Sequence, residues 1–113
     1  MYIIETTLIF DEWLDNLKDL KAKMQIVTRI RRAENGNFGD HKLLPNTGGV
    51  SEMRLDIGKG YRIYYGQIGE ITYILTNGGD KSTQQSDIEK AKLLFAQLKQ
   101  QKKEQPHDPN SSF

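Results

Sequence analysis

Five cationic or phenolic side chains occur along the middle of the chain, in and around a stretch that predicts β-strands. They are Lys42, Arg54, Arg62, Tyr64 and Lys81. Guanidinium and ammonium groups of this kind can bind a phosphodiester and stabilise negative charge that develops on it. The chain has no cysteine and only two histidines, far apart in the sequence. The residues therefore predict no metal site and no cofactor.

Three consecutive antiparallel strands are predicted between Val50 and Lys81. Apolar and charged residues alternate over 52–57, which is the period of a half-buried strand. Two glycine-containing segments, 58–60 and 67–69, predict three-residue hairpin loops. The third strand begins at Ile71 in this interpretation.

With loops of three residues, the apolar side chains of these strands fall on one face. The predicted pairs are Ile57–Tyr61, Leu55–Ile63, Met53–Tyr65, Tyr65–Ile71 and Ile63–Tyr73. The other face then presents Glu52, Arg54, Arg62 and Tyr64 as a surface where chemistry is expected. The same register places Asp56 opposite Arg62, so a structural ion pair is the alternative interpretation of Arg62.

Helices are predicted on either side of this stretch. A short strand over Tyr2–Glu5 precedes a helix over 7–18, capped by Thr7, and a helix over 20–35, capped by Asp19. The expected inner stripe of the second helix is Leu20, Met24, Val27, Ile30 and Ala33. Trp13 is interpreted as a core anchor rather than a base-stacking platform. A further short strand is expected at 41–44. A last helix, beginning near Ser86 or a few residues earlier, carries an apolar stripe of Ile88, Ala91, Leu94, Phe95 and Leu98.

The length of 113 residues fits one domain. We expect an α+β fold over 1–100, with two N-terminal helices packed on a curved antiparallel sheet and a C-terminal helix. Residues 101–113 are polar, contain two prolines and predict a disordered tail. No apolar run reaches the length of a membrane span and no signal peptide is evident, so a cytoplasmic protein without a membrane partner is expected.

The second predicted helix carries most of the clustered positive charge, although the net charge of the chain is only +1. Its basic residues and the one just before it are Lys18, Lys21, Lys23, Arg29, Arg31 and Arg32. A solvated helix face and a nucleic-acid backbone footprint are both open interpretations. His41 is interpreted either as a polar residue on the surface or as a catalytic group. Gly78-Gly79 is interpreted either as a tight turn or as a loop that approaches a phosphate.

Taken in order, several short segments resemble the RelE/ParE superfamily of type II toxins, in its HigB-like, phage-associated addiction-module killer branch. The similar segments run from about Phe10 to Ala91. They are Trp13-Leu14 with Leu17, Gly36-Asn37-Phe38-Gly39-Asp40 with Lys42, Gly49-Val50-Ser51-Glu52-Met53-Arg54, Gly58-Lys59-Gly60-Tyr61-Arg62-Ile63-Tyr64-Tyr65, Gly78-Gly79-Asp80-Lys81-Ser82-Thr83-Gln84, Asp87-Ile88 and Ala91.

The resemblance implies a RelE-like fold and a toxin that cuts mRNA on the ribosome without a metal ion. It implies a HigA-like helix-turn-helix antitoxin as the partner, with operator DNA bound only through that antitoxin. Two alternatives remain: a ParE-like inhibitor of DNA gyrase without catalysis, and a nucleic-acid-binding module without toxicity.

Catalytic residues vary across that superfamily, between a cation-rich set and a set that relies on His and Asp. The chain has no histidine near its C-terminal helix, where the His-using members keep one, which favours the cation-rich set. The residues expected to act in catalysis are Arg62, Arg54, Lys81 and Tyr64. Those expected to contact RNA or the ribosome are Lys42, Lys23, Arg29 and Arg32.

Overall fold

A computed structural model describes residues 1–104 and shows an α+β protein, in which helices cover both faces of a five-stranded mixed sheet. The elements in chain order are β1 Ile3–Thr6, α1 Leu8–Asp15, α2 Leu20–Glu34, β2 His41–Leu43, β3 Ser51–Leu55, β4 Tyr61–Gln67, β5 Thr72–Gly79, a short 3-10 helix Lys81–Thr83 and α3 Gln84–Glu104. In the described part of the chain, none of these helices is long and apolar enough to cross a bilayer.

The strand order is β1-β5-β4-β3-β2, and the outermost pair is parallel. The prediction of an antiparallel sheet is correct for β2 to β5 and wrong for β1, where Ile3 pairs with Thr72 in parallel. In chain order, the strand β1 precedes the two helices α1 and α2. Alternating apolar residues indicate a strand but not its direction relative to its neighbours. The long connection between β1 and β5 allows either direction.

The first two helices begin where their capping residues predict. The Thr7 side chain accepts a hydrogen bond from the Phe10 amide at 3.0 Å, and the Asp19 side chain accepts one from the Ala22 amide at 3.0 Å. These bonds satisfy amides that the first turn of a helix leaves free. Gly36 follows α2 with a φ of 90°, a conformation that ends helices and favours glycine.

The face that α2 turns toward the sheet agrees with the predicted stripe in part. Its buried residues are Ala22, Ile26 and Ala33, and Ile30 is partly buried against the main core, so Ile30 and Ala33 are confirmed as inner residues. Leu20 and Met24, which the prediction places inside, are each 71% exposed, and Val27 is exposed too. Ala22 and Ile26 lie at helical spacing from Ile30 and Ala33 and take the inner positions in the first half of the helix.

The register between β3 and β4 is shifted by two residues from the prediction. Leu55 pairs with Tyr61 and Met53 with Ile63, because the turn takes five residues, 56–60, instead of three. Gly58 and Gly60 both adopt positive φ in this turn. The shift keeps Leu55 and Ile63 buried on the face toward α1 and α2, as expected, since the side-chain period is two.

The predicted pairs between β4 and β5 are also wrong. Tyr65 pairs with Leu75 rather than Ile71, and Ile63 with Gly78 rather than Tyr73. The ladder contains an irregularity between Tyr64 and Tyr65, and β5 extends to Gly79. The longer β5 pairs with β4 through this bulge-like irregularity. A prediction that assumes regular pairing and three-residue hairpin loops cannot include it.

The second face of the sheet is covered by α3 and is not the open surface that was predicted. Ala91 and Phe95 of α3 pack with Val50, Tyr64 and Ile74 of the sheet region, which confirms most of the predicted stripe of this helix. The helix continues to Glu104, four residues into the segment predicted as a tail. The remainder of that segment, 105–113, lies outside the described residues.

Candidate functional site

Two arginines lie side by side where the second face of the sheet emerges from beneath α3. Arg54 of β3 and Arg62 of β4 are direct cross-strand partners. Side chains paired in this way share a face, with Cβ atoms roughly 4.5–5.5 Å apart. Lys81 opens the 3-10 helix beside them: a Cβ atom built on Gly60 would lie 3.4 Å from the Lys81 Cβ and 3.8 Å from the Arg62 Nη1. We call Arg54, Arg62 and Lys81 the cationic cluster.

The cluster brings like charges together, and two carboxylates partly compensate them. An Asp40 oxygen lies 3.1 Å from Nη2 of Arg54, whose side chain is 39% exposed. A Glu52 oxygen lies 3.9 Å from Nε of Arg62, whose side chain is 13% exposed. The predicted Asp56–Arg62 pair is wrong, since the shifted register places Arg54 opposite Arg62.

Glu52 is a candidate site residue that the sequence interpretation did not assign to the site. Its carboxylate is fully buried, and Oε2 accepts a hydrogen bond of 2.8 Å from Nε2 of Gln84, in the first turn of α3. Within the described residues, its Oε1 and the nearby Arg62 Nε have no hydrogen-bond partner. Alternation put Glu52 on the same face as both arginines, but only the position of α3 reveals that this acid is buried.

Tyr64 lies under α3 rather than on an open surface. It is the cross-strand partner of Glu52 and is fully buried. Burial, and secondarily the Glu52 carboxylate, raise the pKa of the Tyr64 phenol well above its ordinary value. The phenol therefore stays protonated at neutral pH, and this position does not suit a general base.

The Gly78-Gly79 segment is explained by packing. Both residues belong to β5, so the predicted loop starts later in the chain. A Cβ atom on Gly78 would lie within 2.6 Å of the Trp13 ring, which packs against the main core as predicted. Asp80 then caps the 3-10 helix by accepting from the Ser82 amide at 2.8 Å.

The four residues predicted to contact RNA or the ribosome do not form one surface. Lys42 pairs with Glu52 at the edge of the sheet and shares its face with the cationic cluster. Lys23 and Arg32 belong to α2, on the opposite side of the sheet, where Arg32 is exposed and the Lys23 ammonium donates to the Asp15 carbonyl at 3.3 Å. Of these three residues, only Lys42 shares the face of the predicted catalytic residues.

Arg29 has a structural role that the charge pattern did not indicate. Its Nη1 donates to the Arg54 carbonyl at 2.8 Å, and its Nη2 donates to the carbonyls of Phe38 at 2.9 Å and Asp40 at 3.1 Å. Burial lowers the pKa of its guanidinium. A side chain that ties α2 to the start of β2 and the end of β3 is not free to bind a phosphate, so Arg29 leaves the predicted footprint.

Within residues 1–104, no three His, Cys, Asp or Glu side chains are grouped so that they could hold a metal ion. The charged groups here are instead the cross-strand guanidinium groups of Arg54 and Arg62 and the nearby Lys81, with the buried Glu52 carboxylate beside Arg62. Such a set can bind an anion and stabilise additional charge on it.

Comparison with known proteins shows which proteins this α+β protein is related to. No family model matches the chain. It is 50% identical over 95 residues to an uncharacterized protein of Haemophilus influenzae, an alignment that covers 84% of this chain and 94% of that protein. The chain belongs to the same family as this Haemophilus protein.

Proposed function

We propose that the protein is the toxin of a type II toxin–antitoxin system, a HigB-like member of the RelE/ParE superfamily that cuts mRNA on the ribosome. The observation that carries the proposal is the cationic cluster: two adjacent arginines on rigid strands, with a lysine at the start of the following helix. The sequence segments that resemble this superfamily include all three residues. Fixed guanidinium groups can stabilise the extra negative charge of a phosphoryl-transfer transition state, which a gyrase inhibitor without catalysis does not require.

In the proposed reaction, the 2′-hydroxyl of a ribose attacks the adjacent phosphorus. The bond from phosphorus to the 5′-oxygen breaks, which leaves a 2′,3′-cyclic phosphate and a free 5′-hydroxyl. The attacking hydroxyl loses its proton to solvent and the leaving oxygen gains one. The phosphorane between these states carries extra negative charge, so fixed cations stabilise it more than they stabilise the substrate.

Arg62 is assigned to the phosphorane, because it is the most enclosed member of the cluster and Glu52 lies beside it. Arg54 assists from the neighbouring strand, and the exposed Lys81 holds the scissile or a flanking phosphate. Tyr64 is buried with a raised pKa, so it supports the site from below rather than accepting a proton. The ribosome would supply the remaining geometry.

The proposed partners are the ribosome with its mRNA and a HigA-like helix-turn-helix antitoxin, which alone would bind operator DNA. With these partners, the proposed location of the protein is the cytoplasm. Lys42 extends the cationic face toward the edge of the sheet, whereas Lys23 and Arg32 offer a second, separate basic surface on α2. RNA contacts are therefore proposed on the first surface, and ribosome or antitoxin contacts on the second.

The test replaces Arg62 by Ala and compares inducible toxicity and mRNA cleavage on purified ribosomes. Loss of one charge-stabilising donor typically lowers the rate by about 10²–10³. Arg31→Ala is the matched control, because this arginine is exposed on α2 and lies outside the cluster. A folded Arg62→Ala protein that cleaves like the Arg31→Ala control refutes the assignment. Cleavage that survives 2′-deoxy substitution at the cut site refutes the mechanism.

The same expression experiment separates the alternative functions. Growth arrest with intact mRNA and inhibited supercoiling by gyrase would indicate a ParE-like inhibitor. Growth without arrest would indicate a nucleic-acid-binding module. Arrest with cleaved mRNA, relieved by an adjacent helix-turn-helix gene, supports the proposal.

A further inference from the structure

A cavity of about 530 Å³ opens at the end of the sheet away from the cationic cluster. It surrounds the start of β3, where Ser51 is paired but β4 runs on to Gln67 without a partner in β3. Ser51 and Arg54 are three residues apart, or about 10 Å along the strand. None of the three cluster residues lines the cavity, so it is distinct from the cluster, although it shares Lys42 with the proposed RNA surface.

The described residues that line this cavity carry positive charge without a carboxylate among them. Lys42 and Lys99 line it together with His41, and none of the described lining residues is an aspartate or a glutamate. The Lys99 ammonium donates to the Gly48 carbonyl at 2.6 Å and lies 4.8 Å from the centre of the Phe95 ring, so it is held at the rim. A concave, unneutralised cationic surface attracts an anion.

The same cavity has an aromatic wall. Phe38 stacks on Tyr65 with ring centres 5.2 Å apart, and it contacts Tyr73 with centres 4.9 Å apart. Phe38 and Tyr65 are nearly buried and form the floor, whereas Tyr73 is half-buried and His41 is exposed. These last two rings can contact a flat ligand, as aromatic side chains do when they stack on nucleobases.

The His41 ring is oriented by the backbone. Its Nδ1 lies 2.8 Å from the Gly39 carbonyl, and a carbonyl can only accept, so Nδ1 carries the proton. In the neutral ring, Nε2 is then left as an acceptor. This nitrogen can accept from a ribose hydroxyl or an amino group of a base, and when protonated it can donate to a phosphate.

We propose that this cavity binds a nucleotide, with its base against Tyr73 and His41 and its phosphate between Lys42 and Lys99. The aromatic wall accounts for the base and the two lysines account for the phosphate, so each half of the ligand has a group in the cavity that would bind it. The inference goes beyond the proposed cleavage site and does not depend on it, because free nucleotides test it without ribosomes.

The experiment measures binding of AMP, adenosine and ribose 5-phosphate to the full chain by titration calorimetry. We expect AMP to bind about tenfold or more tightly than either fragment, since one stacked base contributes about this much or more. Amide shifts in NMR spectra of the wild-type protein locate the site; Gly48, Gly49, Ser51 and Gln67 should respond.

The double variant Lys42→Met/Lys99→Met should raise the Kd for AMP by about tenfold or more and reduce its salt dependence. The matched control is Lys21→Met/Lys92→Met, which removes the same charge from exposed positions that do not line the cavity. The proposal is overturned by any of three results: both double variants bind AMP equally, ribose 5-phosphate binds as tightly as AMP, or the shifts centre on the cationic cluster. The NMR spectrum of the wild-type protein locates the AMP site without any variant. This measurement therefore tests the proposal even if a double variant fails to fold.

Discussion

Replacing Gly66 by Ala tests how tightly α3 is docked on the sheet. Gly66 lies in β4 directly below Phe95, which is 2% exposed. A Cβ atom at position 66 would lie 2.7 Å from Cε2 of that ring and closer still to two other ring atoms. Ordinary carbon contacts need about 3.5–4.0 Å, so the ring would have to move by about 1 Å or more in a closed space.

Overpacking of this kind typically costs about 1–3 kcal/mol, and the enclosed ring places Gly66→Ala near the upper end. For a chain of this size, about 2–3 kcal/mol lowers Tm by roughly 8–12 °C. The assay is thermal and urea unfolding followed by circular dichroism. Gly69→Ala is the matched control, because a Cβ atom there would mainly meet the Lys102 ammonium at 3.2 Å, the far end of a long side chain.

A second variant makes the explanation specific to Phe95. Shortening the ring in Gly66→Ala/Phe95→Leu should recover part of the loss, with a coupling free energy of about 1 kcal/mol or more. The reasoning is refuted if Gly66→Ala is as stable as Gly69→Ala. It is equally refuted if the two substitutions at 66 and 95 add without coupling.

Three further outcomes are expected. Ile63→Ala should lower the free energy of unfolding by about 2–5 kcal/mol, measured by urea titration, because its side chain is fully buried. Arg29→Met should lower the free energy of unfolding by about 2–3 kcal/mol in the same assay, because it leaves three carbonyls without their donor. Arg32→Met, at an exposed position, should leave the free energy of unfolding nearly unchanged. Equal effects of the two substitutions would contradict the structural role of Arg29. The Ser82 hydroxyl is the main cause that lowers the pKa of Asp80. Asp80 should therefore stabilise the protein at any pH above the ordinary carboxyl pKa of about 4, and this contribution should be lost as the pH falls through the lowered pKa of the folded protein. The stability difference between wild type and Asp80→Asn should therefore shrink in acid, and a pH-independent difference would contradict this.

Local signals in the sequence predicted the elements well. The capping residues Thr7 and Asp19, the glycine after α2 and the alternation in β3 each act over a few residues, and each is confirmed. The inner face of α2 was predicted correctly for Ile30 and Ala33 and wrongly for its first half. Ala22 and Ile26 continue the helical spacing of these two residues as well as the predicted Leu20, Met24 and Val27 do, so the period alone does not choose between them.

The candidate site was predicted in its residue types but not in its arrangement. A shift of two residues between β3 and β4 leaves every apolar side chain on its face, so the alternation cannot detect it. The shift nevertheless exchanges Asp56 for Arg54 as the partner of Arg62. Likewise, nothing in the local sequence around Glu52 indicates that α3, more than thirty residues later, buries it.

The parallel pairing of β1 with β5 constrains when a newly made chain can finish folding. The Thr7 hydroxyl, just after β1, donates to the Thr76 carbonyl across 69 residues of sequence. Translation delivers β1 first, but its partner emerges only after most of the chain, whereas β3, β4 and β5 can pair locally. A chain that stops before β5 would leave β1 without its strand partner, and a chain that lacks β1 would leave one edge of β5 open to pairing with other molecules. If the proposed function holds, a protein that attacks ribosomes cannot complete its own sheet until the ribosome that makes it has nearly finished.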